Sequence, residues 1–260
     1  MRSGILGWVI TILAIVVIWE GVLRAGWVSP AALAHPWEVA LAVPRVLSPE
    51  RLGENGLTRG NGADVWSTVW RSFLAFLISV PCGVIAGFAI FFGGRASAPA
   101  QFLLDFLRSV PATALVPVFF IIIGTDDTTK IAIGTFSSSL VICLATIAGL
   151  SARNSTRIGI AKILGVTGFR RLILLDLPEA APHVFLGLRA GISLALILVV
   201  VGEMLIGSSR GLGKVINDMR FSDDKPRMYA AILVIGVVGY VYNLALSWLD
   251  RRIIHWRGVQ

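Results

Sequence analysis

The sequence predicts an all-α integral membrane protein with about six transmembrane helices. Three observations carry that prediction. Hydrophobic residues make up 56% of the 260-residue chain and mean hydropathy is +0.81, whereas a soluble domain has about 45–50% apolar residues. The excess is clustered into runs at 5–19, 73–92, 109–123, 131–150, 190–202 and 228–249, which approach the roughly 20 apolar residues that carry a helix across a bilayer core. Only 15% of residues are charged, too few to cover six such segments with polar surface. A chain in hydrocarbon must satisfy its own backbone hydrogen bonds, and these runs are too long and too continuous for barrel strands.

The first span is expected over about 5–24, with Glu20 near one end, where its carboxylate reaches the interface or a neighbouring helix. Met1-Arg2 followed by an apolar run resembles a signal peptide, and Ala32-Leu33-Ala34 resembles a cleavage site. The triplet stands far beyond the run, so 1–26 reads as a retained helix. The region 27–65 is the longest polar stretch. Ser29-Pro30 and His35-Pro36 are turn and helix-start signals, and a short amphipathic helix is expected from Pro36 to about Leu47. Gly53-Glu54-Asn55-Gly56 through Gly60-Asn61-Gly62 reads as a flexible loop.

Five further spans are expected over 66–250. The second, about 67–92, contains Pro81 and Gly83, which predict a kink. The third, about 105–123, carries Pro111 and Pro117, two missing donors for neighbouring helices to offset. Gly124-Thr125-Asp126-Asp127 then breaks the chain. The fourth, about 130–150, has Ser137-Ser138-Ser139 at its middle, read as a close packing face ahead of a substrate contact. A cytoplasmic segment, 151–182, precedes the fifth span at about 183–206. A polar loop at 207–227, a sixth span at about 228–249 and a basic tail, 251–260, complete the chain.

The net charge of +8 is scattered through loops and span ends, which favours contact with a membrane surface and argues against nucleic acid. Trp8, Trp27, Trp66, Trp70, Trp248 and Trp256 stand near span ends, where they anchor at headgroup level. Cys82 and Cys143 lie inside apolar runs and read as small core residues. His35, His183 and His255 lack the spacing of a metal site, so no metal or cofactor is expected. Six spans place both termini on one side, and Arg251, Arg252 and Arg257, with no acid after Asp250, assign that side to the cytoplasm. The segment 151–182 then faces the cytoplasm too, with Arg153, Arg157, Lys162, Arg170 and Arg171 against Asp176 and Glu179. The basic loop 207–227 runs against this pattern. No internal repeat of the kind found in secondary transporters is evident.

Residues 158–178 are the most informative. Ile160, Ile163 and Leu164, then Leu172 and Leu175 beyond Gly165 and Gly168, form a helical stripe with a glycine-marked break, opposed by a basic face. This spacing predicts two short amphipathic helices and a turn, with Pro178 ending the second helix before span five. Such an element rests on lipid headgroups or docks a partner.

Here the chain resembles the permeases of ABC importers, which carry a cytoplasmic loop of pattern E-A-A-x3-G-x9-I-x-L-P. With Gly165 on the motif glycine, Ala161 falls on the second alanine, Leu175 on the isoleucine position and Leu177-Pro178 on the final pair. Gly159 stands where the pattern has Glu and Ile160 where it has Ala. Leu107 to Ala112 with Leu115-Val116-Pro117, and Val201 to Met204 followed by Gly211-Leu212-Gly213, resemble the nitrate/sulfonate/taurine branch. The resemblance covers roughly 65–250 and implies a type I, MetI-like architecture in the bacterial inner membrane. It implies two permease subunits, expected to be copies of one chain, two ATP-binding subunits beneath them and an extracytoplasmic substrate-binding protein. It assigns Gly159, Ala161, Gly165, Arg170, Arg171, Leu177 and Pro178 to the loop that couples to the ATPase. The chain has no G-x-x-x-x-G-K-[ST] phosphate loop, so it is expected to hydrolyse nothing itself.

Glu203 stands in the apolar run from Ile192 to Met204, and intramembrane ionisable groups usually face a cavity or a partner. Pairing to Arg210 or Arg189, exposure at the interface, and a role in the outer gate or pathway all stay open, the last together with Met204, Pro111 and Pro117. Arg189 is expected to snorkel to the interface. Two other classes remain. A secondary transporter or channel would work without an ATPase, and a membrane-embedded enzyme would need a catalytic cluster that the sequence does not show.

Overall fold

The computed structural model describes residues 2–29, 32–48 and 60–254. Pro30, the loop 53–56, His255, Trp256 and Arg257 lie outside the described residues, as does the side chain of Trp8. Among the described residues there are helices and turns but no strand. The chain divides into two compact units, one of Met1–Ser67 with Ser209–Val237 and one of Thr68–Ser208 with Val238–Gln260.

The first unit contains α1 (Arg2–Arg24), α2 (Pro36–Leu47), α10 (Leu212–Phe221) and the adjoining ends of α3 (Gly62–Phe92) and α11 (Lys225–Ile253). Proline stands in the first turn of α2, where its missing N–H has no intrahelical role. Glu38 closes the start of α2 by accepting from the His35 backbone N–H at 3.1 Å. The carboxylate of Glu20 meets His35 Nδ1 at 3.0 Å and Arg24 Nε at 2.8 Å. Trp19 Nε1 donates to the Ala34 carbonyl at 3.1 Å. Asp64 accepts from Asn61 Nδ2 at 2.7 Å and from the Gly211 N–H at 2.9 Å, and Arg227 Nε donates to Asn61 at 2.9 Å. These bonds tie polar turns to helix ends.

The second unit is built on the antiparallel pair α6 (Asp127–Ser151) and α9 (Leu177–Leu205). Small residues hold the two backbones close. A Cβ on Gly187 would stand 2.4 Å from that of Ala145, and one on Gly149 would stand 2.8 Å from the Ala180 carbonyl oxygen. On the facing side of α6, a Cβ on Gly83 or Gly87 of α3 would meet Ile142 at 2.7 Å or Thr146 at 2.6 Å. Glycines four apart on α3, and again at 187 and 191 on α9, form the spacing that lets membrane helices approach. Ser138 Oγ donates to the Gly191 carbonyl at 2.8 Å, which uses the serine run as a packing face. The core of Ala75, Phe76, Ile142, Ala180, Val184, Leu188, Ile192 and Val199 fills the rest.

Among the described residues, four helices are long and apolar enough to cross a membrane: Gly62–Phe92, Asp127–Ser151, Gly168–Leu205 and Lys225–Ile253. α1 covers the first expected span. The third expected span is not one helix. α4 (Ser97–Ser109) and the segment Ala112–Ile123, which includes α5 (Val116–Ile123), meet at 86°. Pro111 stands at the bend and Pro117 in the first turn of α5. The prolines thus occupy helix starts, where a missing donor costs little, and neighbours need not offset two interior gaps. The architecture is compatible with six crossings if this bent pair forms one of them.

A second correction concerns Pro178. The helix it was expected to stop, α8 (Gly168–Arg171), runs through a π-helical turn, Leu172–Asp176, straight into α9. Proline lacks an N–H and its ring presses on the carbonyl four residues back. A π turn immediately before it widens the helix there, and Pro178 becomes a first-turn residue of α9.

Candidate functional site

Buried charges gather at both ends of the α6–α9 pair. At the end where α9 finishes, Glu203 is 1% exposed. Arg71 Nη1, from α3, donates to Glu203 Oε1 at 2.7 Å, and the Thr68 hydroxyl lies 3.0 and 2.8 Å from the two carboxylate oxygens. Arg71 Nη2 also reaches Asp127 Oδ1 at 2.9 Å. Lys130 Nζ spans Asp127 at 3.3 Å and Ser208 Oγ at 3.2 Å. The side chains of Arg71 and Lys130 are 5% and 2% exposed, while that of Asp127 is 56% exposed. Arg71 and Lys130 lie against the carboxylates of Glu203 and Asp127, and such pairing is what makes their burial tolerable. Asp127 also sits in the first turn of α6, where the helix dipole favours an anion.

Glu203 is thus buried, and exposure at an interface is excluded. Arg189, one of the two arginines offered as its partner, pairs with Asp250 at 2.7 Å instead. Fourteen residues along one helix separate it from Glu203 by about 21 Å. Its expected fate as a snorkelling side chain gives way to that pair. Met204 is half-buried, and Pro111 and Pro117 are exposed. Val116 packs with Ile133 of α6 and Leu198 of α9, bringing the turn bounded by the two prolines against the half of α9 that carries Glu203. Among the described residues no group of three His, Cys, Asp or Glu side chains is arranged to hold a metal ion.

At the other end, α6 gives way to α7 (Ser155–Ile163). Asn154 caps it, its side chain accepting from Thr156 N–H at 2.9 Å and Arg157 N–H at 3.3 Å. At the far end Val166 N–H bonds the Ala161 carbonyl at 2.9 Å and Gly165 N–H that of Lys162 at 3.1 Å. This is the Schellman arrangement, which needs a left-handed residue. Gly165 supplies it at φ +70°. The motif glycine is explained by that dihedral and not by crowding, since nothing lies within 4 Å of a Cβ built there.

The motif positions then separate. Ala161 is buried against the body, while Gly159, Arg170 and Leu177 are not. Ile163 and Phe169 are 86% and 74% exposed and Leu164 stands out beside them. Lys162 and Arg170 are exposed around this apolar tip. Arg171 turns inward, with Nε 3.5 Å from Asp176. The acids of the segment face the body: Asp176 is buried, and Glu179 accepts from Asn154 N–H at 3.1 Å and Arg157 Nη1 at 3.3 Å. Sequence reasoning left out Thr68, Arg71 and Lys130, and read Asp127 only as part of a turn. Arg71 and Lys130 did carry a signal, since each is a charge inside or at the edge of a predicted span.

These features define a multi-pass helical membrane protein, its spans closely packed through small residues, with charge networks at both ends and a capped, apolar-tipped turn. The chain belongs to the family of binding-protein-dependent transport system inner membrane components, whose profile matches residues 79–255. It is 27% identical to the putative aliphatic sulfonates transport permease protein SsuC of Bacillus subtilis (strain 168), over 94% of this chain and 84% of that protein. It is 25% identical to the taurine transport system permease protein TauC of Escherichia coli (strain K12), over 95% of this chain and 88% of that protein. The bicarbonate transport system permease protein CmpB of Synechococcus elongatus is 24% identical, over 78% and 73%. In fold it is similar to the MetNI methionine ABC transporter in inward-facing conformations, with a TM-score of 0.65 and 16% identity over 73% of this chain and 94% of that one. The protein is therefore a membrane permease component of an ABC importer.

Proposed function

We propose that this chain and a second copy of it form the pathway through which a small solute, of the sulfonate, taurine or nitrate kind, crosses the membrane. An extracytoplasmic binding protein hands over the solute, and two ATPase subunits drive the cycle from the cytoplasm. In this reading the α7–α8 turn lies in the cytoplasm with both chain termini and is the element the ATPase holds. Glu203, Met204 and the Pro111–Pro117 turn lie at the opposite end and belong to the outer gate or the pathway.

The observation that carries the reading is the turn itself. α7 is capped at both ends, so it keeps its shape while Ile163, Leu164 and Phe169 stay exposed. An apolar tip held rigid in water at this cost points to a partner groove. The names of the relatives, which move aliphatic sulfonates, taurine and bicarbonate, support a small anion as cargo.

The test is co-expression with candidate ABC ATPases of the same genome, followed by purification in detergent. Wild-type protein is expected to retain the ATPase, and Gly165→Arg to lose it while staying folded. A wild type that binds none of the candidate ATPases would remove the docking role and favour a transporter that works alone.

A further inference from the structure

We propose that Arg153 is the positioning residue that locks the α7–α8 turn to the membrane helices, so that motion imposed on the turn reaches α3, α6 and α9 as one body. This rests on the docking role proposed above and adds how force leaves the docked element.

The geometry converges on a single guanidinium. Arg153 Nε donates to the Leu150 carbonyl at 2.5 Å, closing the end of α6. Its Nη1 donates to Asp176 in the π turn that leads into α9. Its Cζ lies 4.7 Å from the ring centroid of Phe91 and 5.4 Å from that of Phe92, at the end of α3. One side chain, 8% exposed, therefore contacts the ends of three helices, two residues before α7 begins. A planar cation can do this because its edge donates in a fork while its faces stack on aromatic rings, which a lysine ammonium cannot reproduce.

The surroundings leave room for movement on the α8 side of this contact. A cavity of about 400 Å³ opens beside Asp176, lined by Phe92, Gly168, Phe169, Arg171, Leu172 and Asp176. That space lies between residues of α8 and the end of α3. Arg171, 3.5 Å from the same carboxylate, braces Asp176 from the α8 side. The π turn adds a wide, irregular step at this point, where a helix without a brace would flex. The second tie, Glu179 to Asn154 and Arg157, is at the exposed rim and weaker.

Spin labels test the lock directly. In a background with Cys82→Ser and Cys143→Ala, labels are placed at Thr156→Cys, exposed at the start of α7 and away from the docking tip, and at Leu205→Cys at the far end of α9. Distances are measured by pulsed electron paramagnetic resonance on the full chain, alone and in the ATPase complex with and without ATP–vanadate. Labelled chain is diluted with an excess of unlabelled, cysteine-free chain so that the distance within one chain is read, and the wild type is expected to give one narrow distance in all states. Asp176→Asn is expected to broaden it by several ångströms and make it nucleotide-dependent, with the ATPase still bound and still hydrolysing. Arg153→Lys, which keeps the charge but loses the fork and the stacking, is expected to broaden it as well, and it decides the matter if Asp176→Asn does not fold. A distribution as narrow in Arg153→Lys as in wild type overturns the proposal. A wild type that binds no ATPase is a failure of the docking role, and the distances of the permease alone still test the lock.

Discussion

Replacing Gly165 by alanine perturbs one dihedral and little else. The residue sits at φ +70° and a Cβ there meets nothing within 4 Å, so the cost is backbone strain without a clash. A left-handed L-residue costs about 1–2 kcal/mol, offset by about 0.4–1 kcal/mol because alanine also restricts the unfolded chain. The net, about 1 kcal/mol, falls on the turn alone, since the glycine makes no contact with the spans. α7 has nine residues, too few to hold a helix by propensity. Loosening its C-terminal cap lowers the population able to dock, and apparent affinity falls with that population. We expect ATPase affinity, titrated in detergent or nanodiscs, to weaken by up to about fivefold for about 1 kcal/mol. The thermal midpoint of the membrane domain should stay put. Gly165→Asn should fall between glycine and alanine, because asparagine tolerates the left-handed region. Alanine docking as tightly as glycine, or asparagine docking no better than alanine, would show that the turn geometry is not what the partner holds.

Three more predictions follow from the packing and the charge networks. Glu203→Ala leaves Arg71 and Thr68 buried beside a missing carboxylate; removing one partner of a buried pair costs about 3–5 kcal/mol, and the lower end applies here because Asp127 still holds Arg71 Nη2. A thermal midpoint lowered well below that of an exposed control such as Asp105→Ala checks it. Gly187→Leu drives a side chain into α6 where even a Cβ would stand 2.4 Å from Ala145, so it is expected to prevent accumulation of folded protein, judged by monodisperse elution, while Gly236→Leu, in open space, does not. Asn154→Ala removes the α7 cap and is expected to cost about 1 kcal/mol locally; hydrogen exchange should quicken at 156 and 157 and not within α6.

Much of the fold was legible because a bilayer imposes a simple rule on composition. Apolar runs of sufficient length became the helices at Gly62–Phe92, Asp127–Ser151, Gly168–Leu205 and Lys225–Ile253. Proline was the weakest guide, because its effect depends on its place in the helix. Pro111 and Pro117 divided an apparent span, whereas Pro178 was absorbed by a π turn and Pro81 lies inside α3. Hydropathy counts the same residues either way. The glycine pairs at 83 and 87 and at 187 and 191 were visible in the sequence, but only the surfaces they meet show that they face α6 from two sides.

The sequence by itself determined the class of the protein, its four long apolar helices and the location of the amphipathic turn, because apolar length, helical period and glycine punctuation act over neighbouring residues. Which charges meet was decided only by the tertiary structure. Glu203 finds Arg71 across 132 positions and Arg153 finds Asp176 across 23. An ion pair is chosen by distance in space and by exclusion from water, and neither quantity is written along the chain until the helices pack.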